Sequence, residues 1–510
     1  MRKFTPLLFA LTLVCAQTPA GRRVPNDPYF KYQASFLNPG GKITIERTSV
    51  KSSPVTFDAV EGIDANVTRA WTVSTGSRGV VVAVLDDGFF YGHEDLAGNL
   101  WAHPGESGAD STGHAKETNG LDDDGNGYVD DVMGWDFAFD DPDPDGYVFD
   151  GMRRDRIQPY WHSISALGII GARGDNGLGV AGINWDVSMM LLKIGAQGIG
   201  RDERDTLRPE RAAKALRYAA DNGARIINWS GFVSDPTPEA LAGLRSAVEY
   251  AGRKNVLVVV GAGNSGLDVD RPENYTYPAC FDLDNILTVA MVDFRGELVR
   301  YQAGERWLGS NFGPRNVDIA APEQNFSTFF ENARSTYRLS GGTSNCGPVV
   351  AGVAALTLSV DPKLSAPALK KLLMDTAKRL TALEGKVGSG GLIDAYSAAL
   401  AARRTRRMDV PNLSPEVSKP RPALAGGMRL AFKTHYKLNT IAADKLNSAR
   451  KSVISKTLGK ADWKTSTLIA GGVVKEILWP LVASDRQASP PQAGCQEYLP
   501  LELKAGPLLW

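Results

Sequence analysis

Only five histidines, His93, His103, His114, His162 and His435, are spread over the 510 residues. Acid–base chemistry near neutral pH needs one of them beside a partner. His162 opens the stretch HSISALGIIGARGDNGLGVAG; read alone, it simply begins a buried helix. Ser344 lies in LSGGTSNCGPVVAGVAALTLSV, where Gly341 and Gly342 precede it and Pro348 reads as part of the first turn of an apolar helix. A serine so placed is either a helix cap or a hydroxyl presented at the positive end of the helix, where backbone N–H groups can stabilise an oxyanion. Asp86, Ser230 and Asn264 each stand where an apolar run stops.

A second chemistry is suggested by LDDDGNGYVDD. Asp122, Asp124 and Asn126 alternate, Tyr128 can offer a carbonyl and Asp130 follows, which is the spacing of the first half of a calcium loop. The twelfth position is Met133 instead of Glu, so this is not an ordinary EF-hand; the plainer reading is a solvated acidic loop. A second acidic cluster runs from Asp136 to Asp145, and Asp27 offers a further oxygen ligand. Bound Ca2+ in a structural role is the expectation.

These residues need a scaffold. The runs VVVAVL (Val80–Leu85), MMLLKI (Met189–Ile194), ARIINWS (Ala224–Ser230), NVLVVVGAGN (Asn255–Asn264) and NILTVAMVD (Asn285–Asp293) are continuous enough to be strands buried on both faces. Helical patterns begin at Glu210 and Pro238 between them. The alternation predicts an α/β fold, a largely parallel sheet flanked by helices, in which functional residues gather beyond the carboxyl ends of the strands.

Composition narrows the function. Lys+Arg and Asp+Glu both number 57, so overall charge points to neither a nucleic-acid partner nor a membrane surface. The charge is nevertheless segregated: Glu117 to Met152 holds eleven Asp and no Lys or Arg, whereas residues 403–510 hold 18 Lys and Arg against 8 Asp and Glu. Met1-Arg2-Lys3 followed by the apolar Phe4–Val14 reads as an export signal over residues 1–16, with a second cleavage candidate after Ala20. The run is too short to span a bilayer; a secreted or periplasmic location follows. Loss of Cys15 with the signal leaves Cys280, Cys346 and Cys495, which cannot all pair within one chain, so no disulfide scaffold is expected.

Taken together, VVVAVLDDGFFYGHEDL, HSISALGIIGARGDNGLGVAG, VLVVVGAGNSG and GGTSNCGPVVAGVAAL, in this order, resemble the functional motifs of the subtilisin-like serine peptidases (subtilases). The resemblance covers about residues 24–402, leaving 403–510 as a basic, Pro-containing tail with a Lys-rich middle of helical character. It implies a three-layer subtilisin-like fold and an exported, monomeric endopeptidase acting on protein or peptide substrates. His162 would then take the proton of Ser344, Asp86 would orient the imidazole, and Asn264 with the Ser344 N–H would hold the oxyanion. Ser230, Gly231 and Phe232 on one side and Gly261, Ala262 and Gly263 on the other would line the substrate cleft. His93 reads as framework, and His103, His114 and His435 lack evident partners.

Departures from the family pattern bear on activity. Ser163 and Ser165 replace a glycine and a second histidine after the base. Asp87 stands where Ser or Thr is usual; two buried carboxylates there would raise the pKa of the pair. Asn345-Cys346-Gly347 is an unusual continuation after the nucleophile, and Phe232 falls in place of a glycine, which predicts a narrowed pocket for small side chains. A folding-assistant propeptide is not evident between the signal and PNDPYF. Two alternatives follow: a subtilase-fold binding protein with impaired catalysis, or an esterase on the same triad, the latter disfavoured by the absence of a Gly-x-Ser-x-Gly elbow.

Overall fold

The computed structural model describes residues 21–45, 54–145, 161–195, 209–233, 236–303, 306–331, 334–408, 463–470 and 473–480. The expected signal segment, residues 1–16, lies outside them. The chain divides into two compact units, Met1–Pro415 and Glu416–Trp510.

The first unit begins with a hairpin of β1 (Gly41–Ile45) and β2 (Val55–Ala59), then the short α1 (Val67–Ala70) and the long β3 (Gly76–Asp86). There follow β4 (Gly134–Asp136), α2 (Trp161–Gly171), β5 (Asp186–Lys193), α3 (Pro209–Asp221), β6 (Ile226–Trp229), α4 (Pro238–Arg253), β7 (Leu257–Gly261) and β8 (Ile286–Val292). A hairpin of β9 (Arg300–Ala303) and β10 (Arg306–Gly309) precedes β11 (Ile319–Pro322), and β12 (Asn325–Glu331) pairs with β13 (Arg334–Ser340). Last come α5 (Thr343–Val360), α6 (Ala366–Asp375), β14 (Lys378–Arg379), β15 (Gly391–Leu392) and α7 (Ala395–Met408).

Nine strands form one sheet in the order β14-β15-β11-β8-β7-β6-β3-β5-β4. Every pairing in it is parallel except β14 with β15. Successive residues of β3 explain its unbroken apolar run. Val82 and Val84 join a core that includes Leu167 and Ile170 of α2 and Val349 and Val353 of α5. Ala83 and Leu85 join the opposite core, with Leu216 of α3 and Leu244 of α4. A strand with helices on both faces cannot alternate polar and apolar residues. The helix α3 buries Ala212, Ala215, Leu216, Ala219 and Ala220, the 3–4 spacing of a single apolar face.

At the centre lies α5. It is the one described helix long and apolar enough to cross a membrane, and 89% of it is buried inside the fold. Pro348 does not sit in its first turn, as expected, but at the sixth helical position. A proline there cannot donate to the carbonyl four residues back, that of Ser344. The Ser230 hydroxyl donates to this carbonyl instead, at 2.8 Å.

In the second unit the described residues are β16 (Trp463–Ala470) and β17 (Val473–Pro480), an antiparallel hairpin. WKTSTLIA and VVKEILWP are rich in residues that favour extended structure; the Lys-rich stretch before them, for which helical character is expected, lies outside the described residues.

Candidate active site

Adjacent parallel strands deliver the first group of residues. Asp86 is the last residue of β3, Ser230 follows β6 and Asn264 lies three residues beyond β7, all at the carboxyl edge of the sheet. His162 is in the first turn of α2, and Ser344 is the second residue of α5.

The imidazole of His162 pairs with Asp86 across 76 positions of chain, with Nδ1 2.9 Å from both Oδ1 and Oδ2. Burial disfavours the charged imidazolium, but the charge and hydrogen bond of Asp86, with a further contribution from Asp87, outweigh it and raise the His162 pKa to about 9. Burial likewise pushes Asp86 upward, and its pairing with His162 more than reverses this, leaving it below the usual carboxylate value. Asp87 moves the other way. Burial, then the neighbouring Asp86 charge, raise it well above an ordinary carboxyl, while its N–H donates to Asp86 Oδ1 at 2.9 Å.

Ser344 Oγ donates to the carbonyl of Ser230 at 3.2 Å, reciprocating the hydroxyl bond that Ser230 makes to the Ser344 carbonyl. Asn228 Nδ2 in turn donates to Ser230 Oγ at 3.1 Å. Asn264 Oδ1 accepts from the Thr343 N–H at 2.9 Å and its hydroxyl at 3.0 Å. Because a backbone N–H can only donate, this fixes the orientation of the amide, with Nδ2 as its donor end. Gly342 turns the chain into α5 with φ at 92°, a conformation that glycine adopts without strain.

The expected cleft residues divide by role. Ala262 is fully buried, its side chain in the core. A Cβ at Gly261 would come within 2.9 Å of Thr343 Oγ1, and one at Gly263 within 2.5 Å of Asn311 Nδ2, so both positions require glycine for close approach. Beyond Ser230 and Gly231, Phe232 is 52% exposed, and the next residue, Val233, bridges to Tyr277.

In the acidic loop the expected Asp122 and Asp124 are joined by Glu106, which the spacing did not point to. Carboxylate oxygens of Glu106, Asp122 and Asp124 lie within 4.8 Å of one another. Glu106 is fully buried and its Oε2 has no hydrogen-bond partner, an oxygen suited to a hard cation. Backbone N–H groups donate throughout the loop: those of Gly125 and Gly127 to Asp122 Oδ1 and Oδ2, each at 2.8 Å, that of Tyr128 to Asn126 Oδ1 at 2.7 Å, and that of Gly120 to the Asp130 carboxylate at 3.1 and 3.2 Å. The Tyr128 ring packs on Trp135 and Tyr218. Glu106 stands apart from the aspartate run, and only its apposition across the fold reveals it. In the second cluster Asp136 is paired with the buried Lys193 Nζ at 2.7 Å. Asp27 is buried, with Oδ1 lacking a partner.

Two of the other histidines have partners that the sequence did not disclose. His103 Nε2 lies 2.9 Å from Asn222 Oδ1 and 3.3 Å from Asp124 Oδ2, and His114 Nδ1 lies 2.9 Å from Thr112 Oγ1. His93 bonds the Thr336 carbonyl at 3.0 Å from within the core. His435 is outside the described residues. Cys280 and Cys346 are free and buried.

The sequence profile of the subtilase family matches residues 77–390, a span that contains every one of these candidate catalytic positions. The chain belongs to the subtilase family. Among curated relatives, this subtilase is 28% identical over 330 residues to Subtilisin-like protease 1 of Plasmodium berghei (strain Anka), covering 62% of the chain and 49% of the relative. It is also 28% identical to the Extracellular basic protease of Dichelobacter nodosus, covering 70% of the chain and 56% of the relative. The chain thus spans about half the length of these relatives. A solved protease structure from Pseudoalteromonas arctica superposes with a TM-score of 0.52 at 23% identity, over 74% of this chain and 99% of that one, which establishes likeness of fold.

Proposed function

We propose that this subtilase is an exported serine endopeptidase. The observation that carries the reading is the short pairing of His162 Nδ1 with both oxygens of the buried Asp86, at the strand edge where Ser344 opens α5. A serine hydroxyl is a weak nucleophile until a base removes its proton. His162 takes that proton as Ser344 Oγ attacks the peptide carbonyl, then passes it to the leaving amine. Asp86 holds the tautomer and stabilises the imidazolium. The tetrahedral oxyanion is received by Asn264 Nδ2 and the Ser344 N–H. Water then attacks the acyl-enzyme with His162 again as base.

Phe232, beside Ser230 and Gly231, narrows the pocket for the side chain preceding the cut, so small residues are favoured there. Glu106, Asp122 and Asp124 would hold Ca2+, which supplies positive charge to a buried carboxylate cluster and ties the acidic loop to the body of the domain. Export is supported by the N-terminal sequence pattern and by a relative named as extracellular.

The test is labelling of the folded protein by a fluorophosphonate with calcium present. Ser344→Ala and His162→Ala each abolish labelling if the reading holds; in subtilisin itself, loss of either group costs roughly 10⁶ in kcat. One observation favours the second reading, a cleft that binds without turnover: the Ser344 hydroxyl is donated to the Ser230 carbonyl. A folded, calcium-loaded protein that remains unlabelled would decide for it.

A further inference from the structure

The two residues at which the histidine helix departs most from the family pattern are both engaged. Ser163 is fully buried and its hydroxyl donates to the carbonyl of Gly88, in the turn that follows Asp86 and Asp87. Ser165 is 1% exposed and donates to Asn345 Oδ1 at 2.7 Å. Asn345 is the residue after the nucleophile, itself 2% exposed. Its Oδ1 also accepts from Ser340 Oγ at 2.9 Å, and the hydroxyls of Ser165 and Ser340 lie 2.6 Å apart. Its Nδ2 donates to the Gly341 carbonyl at 2.7 Å, within the turn that leads into Ser344.

Helical geometry gives these contacts their direction. Residues one and three positions after His162 project to different sides of α2, so one serine reaches the aspartate turn while the other reaches the nucleophile helix. A glycine in place of Ser163 would have no side-chain bond to offer. The Ser165 and Asn345 departures answer each other, because a hydroxyl donor meets an amide oxygen inside a polar cluster completed by Ser340. We infer that the buried Ser163, Ser165 and Asn345, with the half-buried Ser340, form a hydrogen-bonded clamp that fixes the base on α2 relative to both Asp86 and Ser344. They are positioning residues, and the inference rests on the proposed triad. Reaction rate is sensitive to the separation of base and nucleophile, whereas binding in the cleft is much less so.

The experiment is saturation kinetics of fluorophosphonate inactivation of the full chain with calcium, with melting followed by circular dichroism. Asn345→Ala and Ser165→Ala are each expected to lower the maximal inactivation rate about 10- to 100-fold with the half-saturating concentration unchanged. The double variant is expected to be no more than about twofold slower than the slower single variant, as for two ends of one contact. Ser165→Thr keeps the hydroxyl and is expected to restore most of the rate. If Asn345→Ala does not fold, Ser340→Ala takes its place in the same comparison. Additive losses, an effect confined to the half-saturating concentration, or a Thr variant as slow as the Ala variant would overturn the clamp. A labelled wild type with insensitive variants rejects the clamp alone; a folded but unlabelled wild type rejects the serine-peptidase reading and the clamp with it.

Discussion

At residue scale, Asp87 is the least expected member of the site. The Asp86 carboxyl lies below the ordinary range and that of Asp87 well above it, so of the two buried carboxyls Asp87 keeps its proton to the higher pH. Raised above its unfolded value, Asp87 contributes stability in acid that is lost as pH rises from the ordinary carboxyl range through its folded pKa. An Asp87→Ser variant should therefore be more stable than wild type at alkaline pH, with the gap closing in acid, as read from urea midpoints across pH. The raised His162 pKa has the opposite consequence for rate. Only neutral imidazole accepts the serine proton, so labelling should climb toward pH 9 instead of levelling near 6.5. The imidazolium pair adds stability below about pH 6.5, and this is lost as pH passes about 9. In the cleft, Phe232→Gly should broaden cleavage of a peptide library toward large residues before the cut; an unchanged preference for small residues would count against the narrowed pocket.

At element scale, the strands were legible because burial on both faces leaves the runs Val80–Leu85 of β3, Met189–Leu192 of β5 and most of β8 apolar. The hairpin β12–β13 was not. Phe326, Ser327, Thr328, Phe329 and Phe330 are all buried, and Ser327 and Thr328 donate to the Ser165 and Ile164 carbonyls of α2. Polar residues satisfied by a neighbouring helix erase the alternation that marks a strand. The positions of Asp86, His162, Asn264 and Ser344 were readable as motifs. Glu106 and the partners of His103 were not, since they meet only through tertiary folding. Caps are simpler. Ser365 accepts from the Ala368 N–H at 3.3 Å at the start of α6, so Ser365→Ala should cost about 1 kcal/mol in chemical denaturation.

At the scale of the whole molecule, the acidic loop is the feature most exposed to solution conditions. A cation bound only by the folded chain at a hundred times its dissociation constant stabilises by about 2.7 kcal/mol. Chelation should accordingly lower the melting temperature, and Glu106→Gln should shrink that difference, whereas Asp130→Asn, altering a carboxylate turned toward Gly120, should leave it nearly intact. A calcium-independent melting temperature would remove the site.

The placement of Asp86 at the end of β3 and of Ser344 at the start of α5 also sets a clock. The two lie 258 positions apart, and a ribosome adding roughly 5–20 residues per second needs about 13–50 s to cover that distance. Throughout this interval the growing chain carries the aspartate strand, then the histidine helix, but not yet Ser344, the proposed nucleophile. Even the finished polypeptide must thread α5 against strands made long before it, a slow step for a parallel sheet built from distant segments. The proposed chemistry would therefore be withheld from the chain's own synthesis and become available only after α5, followed in the chain by the core helices α6 and α7, has docked.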